Sequence, residues 1–84
     1  MKYSDWDIGG KVVKEDARYV VKDNTDLSNL VVSSTHLNAG KSTTGHRHAG
    51  QEEVYVFVGG SGQMELDHEI FDVTAGDTVL IHDN

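Results

Sequence analysis

Apolar and polar residues alternate along this chain in short runs, and no segment of 11 or more residues carries a 3.6-residue apolar period. The runs are KVVK, RYVVK, NLVVSSTHL, EVYVFV, QMEL, EIFDV and DTVLI. Most are rich in β-branched or aromatic residues, QMEL alternates polar and apolar residues instead, and each is short enough for a single strand. Between them lie turn-forming stretches, DNTD, NAGKSTTG, GGSG and TAGD, whose Gly, Asn, Asp and Ser residues supply tight reversals. The pattern predicts an all-β chain, a sandwich or barrel, with at most a turn of helix near the N-terminus. The stretch QMELDHEIFDV predicts a hairpin with Asp67 and His68 at its tip, which makes His68 a solvent-facing turn residue.

Length and composition narrow the picture. At 84 residues the chain is expected to form a single domain with an economical core. Without Cys or Pro, its stability must come from packing, metal or association. Asp5 and Asp7 fall where an export signal needs an apolar run, and Val54 to Val58 is too short to span a bilayer, so a cytoplasmic location and no membrane role are expected. Residues 1–47 hold all seven Lys and Arg against six acids, whereas residues 48–84 hold eight acids and no Lys or Arg. No basic stripe exists to meet a phosphate backbone, so nucleic-acid binding is not expected.

The chemistry concentrates in GHRHAGQEEVYVFVGGSG, residues 45–62. On a strand His46 and His48 point to one side and Arg47 to the other. From His48 to Glu53 is an odd step, so Glu53 reaches the histidine face only if the chain bends between them, and Gly50 is the residue suited to that bend. Beyond it Glu53, Tyr55 and Phe57 share one face, Val54, Val56 and Val58 the other. Two imidazoles and a carboxylate suit a divalent transition metal such as Mn, Fe, Ni or Zn. The competing reading makes them surface side chains of a polar loop.

From Gly40 onward the segment fits G-x5-H-x-H-x4-E-x6-G at Gly40, His46, His48, Glu53 and Gly60. This resembles the first motif of the cupin superfamily. The resemblance covers residues 28–84, leaving the strands of residues 1–27 outside it, and implies a double-stranded β-helix, or jelly-roll, barrel with His46, His48 and Glu53 as metal ligands. A three-residue spacer would use Glu52 and Gly59 instead. Glu53 is preferred because it sets the turn at Gly60-Ser61-Gly62 and places Tyr55 and Phe57 as pocket walls. The family's second motif starts at Gly76-Asp77, but His82 stands where Pro is usual and Asn84 where Gly is usual, and the motif's histidine would come three residues later. The barrel is therefore expected to be incomplete at its C-terminal end. A piece of a longer protein is the favoured account, beside strand exchange with a partner or a three-ligand site. His82 as a substitute ligand and His36 as a pocket-lining residue are lesser candidates.

By this resemblance the chain is expected to be a small metal-binding cupin acting on a small-molecule ligand. Sugar or sugar-phosphate isomerase or epimerase chemistry and dioxygenase chemistry both stand, with Tyr55 as the catalytic candidate beside the ligands and His36 and Gln63 behind it. Lys41 and Arg47 are the cations nearest the motif, and Arg47 points away from His46 and His48, which weighs against a phosphorylated substrate. The alternatives are a non-catalytic metal- or ligand-binding module and an inactive scaffold. The apolar Val54, Val56, Val58 face suggests a homodimer.

Overall fold

The structure, a computed structural model, describes residues 1–43 and 50–83. All seven apolar runs form strands: β1 (Lys11–Glu15), β2 (Tyr19–Asn24), β3 (Val32–Leu37), β4 (Glu53–Val56), β5 (Ser61–Leu66), β6 (Glu69–Thr74) and β7 (Thr78–Ile81). Among the described residues there is no helix. The strands make three antiparallel sheets, β1-β2-β3, β4-β7 and β5-β6, and none closes on itself among the described residues. The all-β expectation is met; these sheets of three, two and two strands are not a barrel as they stand. The chain divides into two compact units, Met1–Gly45 and His46–Asn84.

In the first unit β2 is the central strand, pairing β1 from Lys11↔Asp23 to Glu15↔Val20 and β3 from Tyr19↔Leu37 to Asn24↔Val32. A bulge between Val12 and Lys14 falls on the edge strand, where an interrupted ladder costs least and discourages further pairing. Asp16 closes the β1–β2 turn: its carboxylate accepts the Arg18 N–H at 2.8 Å and the guanidinium Nη2 at 2.8 Å. Those hydrogen bonds hold the Asp16 carboxyl down at about 2, below its ordinary value. Tyr19 is buried, with Lys14 Nζ 5.2 Å and Arg18 Cζ 4.8 Å from its ring centroid. The ring's negative face attracts both cations while their stems shield it from water.

In the second unit the β5–β6 hairpin runs from Ser61↔Thr74 to Leu66↔Glu69, leaving Asp67 and His68 as its two-residue loop. Both have positive φ, 51° and 68°, the pair of signs a type I′ turn requires. Asp and His tolerate that region better than most side chains, which explains how the hairpin forms without Gly at its tip. The turn Thr74–Asp77 is closed twice, by Asp77 N–H to Thr74 O at 3.0 Å and by Thr74 N–H to Asp77 Oδ2 at 2.8 Å. Its third residue, Gly76, has a φ of 98°, which a side chain would oppose. Phe57 N–H donates to Asp77 O at 3.0 Å and Gly76 N–H to Phe57 O at 2.8 Å, so this turn also anchors the chain just beyond β4.

Candidate metal centre

His46 and His48 lie outside the described residues. What the structure places is the platform that follows them. Gly50 has a φ of 80°, a left-handed conformation open to glycine and costly for residues with a Cβ. Its N–H donates to Asp83 Oδ1 at 2.8 Å, tying the chain ahead of β4 to the chain after β7. Gly50, the residue expected to bend the chain, is thus in a left-handed conformation ahead of β4; how His48 stands to Glu53 lies outside the described residues. The contribution of Asp83 was not anticipated. Its only signal is a polar residue just past the strand that pairs with β4.

Register decides which β4 side chains share a face. Glu53 pairs with Ile81, Val54 with Leu80, Tyr55 with Val79 and Val56 with Thr78. Glu53, Tyr55, Val79 and Ile81 therefore occupy one side, and Val54, Val56, Thr78 and Leu80 the other. Glu53, Phe57, Val79 and Ile81 are half-buried and Tyr55 is 37% exposed, whereas Val54 is 62%, Val56 60% and Leu80 61% exposed. The Glu53 side is the better covered one. Glu52, the competing ligand, is exposed.

Burial is the main cause that raises the Tyr55 phenol above its ordinary value, with a smaller push from the Glu53 charge. Both effects penalise the phenolate, so Tyr55 is a neutral hydroxyl at physiological pH. The Phe57 ring stands 6.3 Å from the Tyr55 ring, tilted by 53°, and forms an apolar wall beside it. A carboxylate next to a protonated phenol against an apolar wall can ligate a cation and donate a proton or hydrogen bond to whatever the cation binds.

The other candidates are placed elsewhere. His82 is exposed and directly follows β7. Gln63, on β5, donates to Asp72 Oδ1 at 3.3 Å and lines an open cleft of about 520 Å³ with Thr74 and Asp77. His36 lies on β3 opposite Val20 in the first unit. Lys41 is exposed, and Arg47 lies outside the described residues. His68 is exposed at the hairpin tip, as its turn position predicts. No helix among the described residues is long and apolar enough to cross a membrane.

The fold and site thus define an all-β chain with a half-buried carboxylate and phenol on one strand. No family model matches the chain, and no solved structure matches it. It is similar to the uncharacterized protein MJ1618 of Methanocaldococcus jannaschii, with 31% identity over 74 residues, covering 75% of this chain and 59% of that protein. The chain therefore spans less than two thirds of the length of that relative.

Proposed function

We propose that this chain is a metal-binding cupin whose ligands are His46, His48 and Glu53, acting on a small carbonyl-bearing molecule. The observation that carries the reading is the left-handed Gly50 three residues ahead of β4, whose better-covered face holds Glu53 and Tyr55, with Phe57 just beyond its end. That conformation is what the histidine-to-glutamate spacing needs if all three are to meet. Glu53 would supply the carboxylate ligand, and the apolar Phe57 wall would lower the local dielectric around it. A divalent metal bound there supplies Lewis acidity toward a carbonyl or enediolate oxygen. Tyr55, held protonated, would donate a hydrogen bond or proton to a substrate oxygen, the role of a general acid. Sugar or sugar-phosphate isomerisation or epimerisation would use that pairing together with a base for the C–H proton, which a neutral Tyr55 does not supply; a redox-active iron would redirect the same site to dioxygenase chemistry.

A second reading, a non-catalytic metal- or ligand-binding module, is favoured by the same state of Tyr55, because a neutral phenol does not abstract protons. Elemental analysis by plasma mass spectrometry on protein purified without chelator or affinity metal tests the metal reading. Near-stoichiometric metal is expected in the wild type and in Glu52→Gln, and its loss in His48→Ala and Glu53→Gln. Wild-type protein that takes up no metal on reconstitution, or a Glu53→Gln variant that retains it, would overturn the assignment. Solvent-deuterium incorporation into candidate sugars by the metal-loaded protein separates enzyme from binding module.

A further inference from the structure

The first unit carries a groove that the metal reading does not use. Asp5, Trp6 and Asp7 form one wall, and Lys22 of β2 with Ser34 and His36 of β3 form the other, around about 320 Å³ of space. The sheet wall is set by register: Lys22 pairs with Ser34 and Val20 with His36, so successive rungs present these side chains on one face. The opposite wall is a strained turn. Asp5 and Trp6 are consecutive residues at positive φ, 58° and 63°, a conformation that a bulky indole-bearing residue adopts only when its surroundings impose it. Hydrogen bonds hold the turn: Asp7 N–H to Ser4 O at 3.1 Å, Gly9 N–H to Asp7 Oδ1 at 2.8 Å, and Asn24 Nδ2 to Ile8 O at 2.7 Å, the last fixing it to the end of β2. The result is an indole 76% exposed at the groove.

The two walls differ in charge. An indole face attracts cations, and the Asp5 carboxylate and the remaining oxygen of Asp7 add negative charge beside it. The sheet wall offers an ammonium, an imidazole and a hydroxyl, the donors that recognise a carboxylate. A simple anion would meet Asp5 and Asp7 in a chain of net charge −7, and a simple cation would meet Lys22. A molecule with one charge of each sign satisfies both walls. We propose that this groove binds a small zwitterion of the amino-acid type, its ammonium toward Trp6, Asp5 and Asp7 and its carboxylate toward Lys22, Ser34 and His36. The volume is at the small end for ligand sites and leaves room for an amino acid with a side chain.

Trp6 is the only tryptophan in the chain, so its fluorescence reports this groove alone. L-Alanine is titrated beside two near-isosteres that each keep one charge, isopropylammonium and isobutyrate. A saturable change is expected with alanine, and binding about tenfold weaker or worse for each single-charge probe, since each leaves one wall unpaired. Lys22→Gln, at an exposed position that tolerates the change, should weaken alanine by about fivefold and leave isopropylammonium no weaker, since it loses only a like charge. Far-UV circular dichroism confirms that the variant is folded. No saturable change with alanine would overturn the proposal. So would isopropylammonium binding as tightly as alanine with Lys22→Gln silent, because that is a cation site only.

Discussion

Replacing Gly50 with Ala isolates the left-handed turn on which the proposed metal site depends. No heavy atom lies within 4 Å of where the new Cβ would sit, so the substitution meets no clash and its whole effect is on the backbone. At a φ of 80° an L-residue with a Cβ is disfavoured by about 1–2 kcal/mol. If the chain escapes to negative φ instead, the N–H turns away from Asp83 and that 2.8 Å bond is lost. Either route disfavours the bent form by about 1–2 kcal/mol, a factor of about 5–30 in an equilibrium constant. Straightening would put Glu53 out of phase with the histidines, so on the proposed reading the deficit appears as metal affinity about 5–30 times lower, measured by competition with a chromophoric chelator. Gly50→Asn is the control, because Asn visits the left-handed region at small cost and should retain most of the affinity. Thermal unfolding of both variants without metal separates binding from stability. Equal affinities for Ala and Asn, or wild-type affinity for Ala, would refute the reasoning.

Four further outcomes follow from the structure. Asp83→Ala should weaken metal binding in the same assay, and Asp83→Asn, which keeps the acceptor oxygen for Gly50 N–H, should restore most of it. Replacing Asp67-His68 with Asn-Gly relieves two left-handed side chains and should stabilise the protein by about 1 kcal/mol; a melting temperature higher by about 4–8 °C is the check. Because the folded Tyr55 phenol titrates above its ordinary value near 10, its contribution to stability is complete below pH 10 and declines as the pH rises beyond that. Difference absorbance between wild type and Tyr55→Phe should place its ionisation above 10, and Glu53→Gln should lower it only partly, since burial is the larger cause. If a second copy packs on the exposed Val54, Val56 and Leu80 side, Val56→Lys should give a monomer where the wild type sediments as a dimer.

Much of this organisation was legible in the residues. A strand needs only local alternation and β-branched side chains, so all seven strands fall on the seven apolar runs, and the hairpin tip at Asp67-His68 follows from the spacing of QMEL and EIFDV. The left-handed Gly50 falls where the proposed ligand spacing needs a break, because side-chain direction alternates along a strand and an odd spacing would otherwise put Glu53 on the far side. The sharing of one face by Glu53, Tyr55 and Phe57 is the same rule applied beyond it. His46 and His48 themselves fall outside the described residues, so the completed ligand set rests on the sequence pattern alone.

Tertiary structure decided what local alternation does not encode. Which strands pair is set by long-range contacts, and β4 pairs with β7, with two strands between them in sequence, while β5 pairs with its neighbour. That pairing puts Glu53, Tyr55, Val79 and Ile81 on one side, and it brings Asp83 to Gly50 across 33 positions of chain. The groove at Trp6 arises in the same way. Asp5-Trp6-Asp7 reads as polar N-terminal sequence, and the Asn24 side chain reaching Ile8 O helps hold it beside the face that carries Lys22 and His36. Periodicity reports where a side chain points relative to its own strand; the partner that meets it depends on chain closure, which no local pattern records.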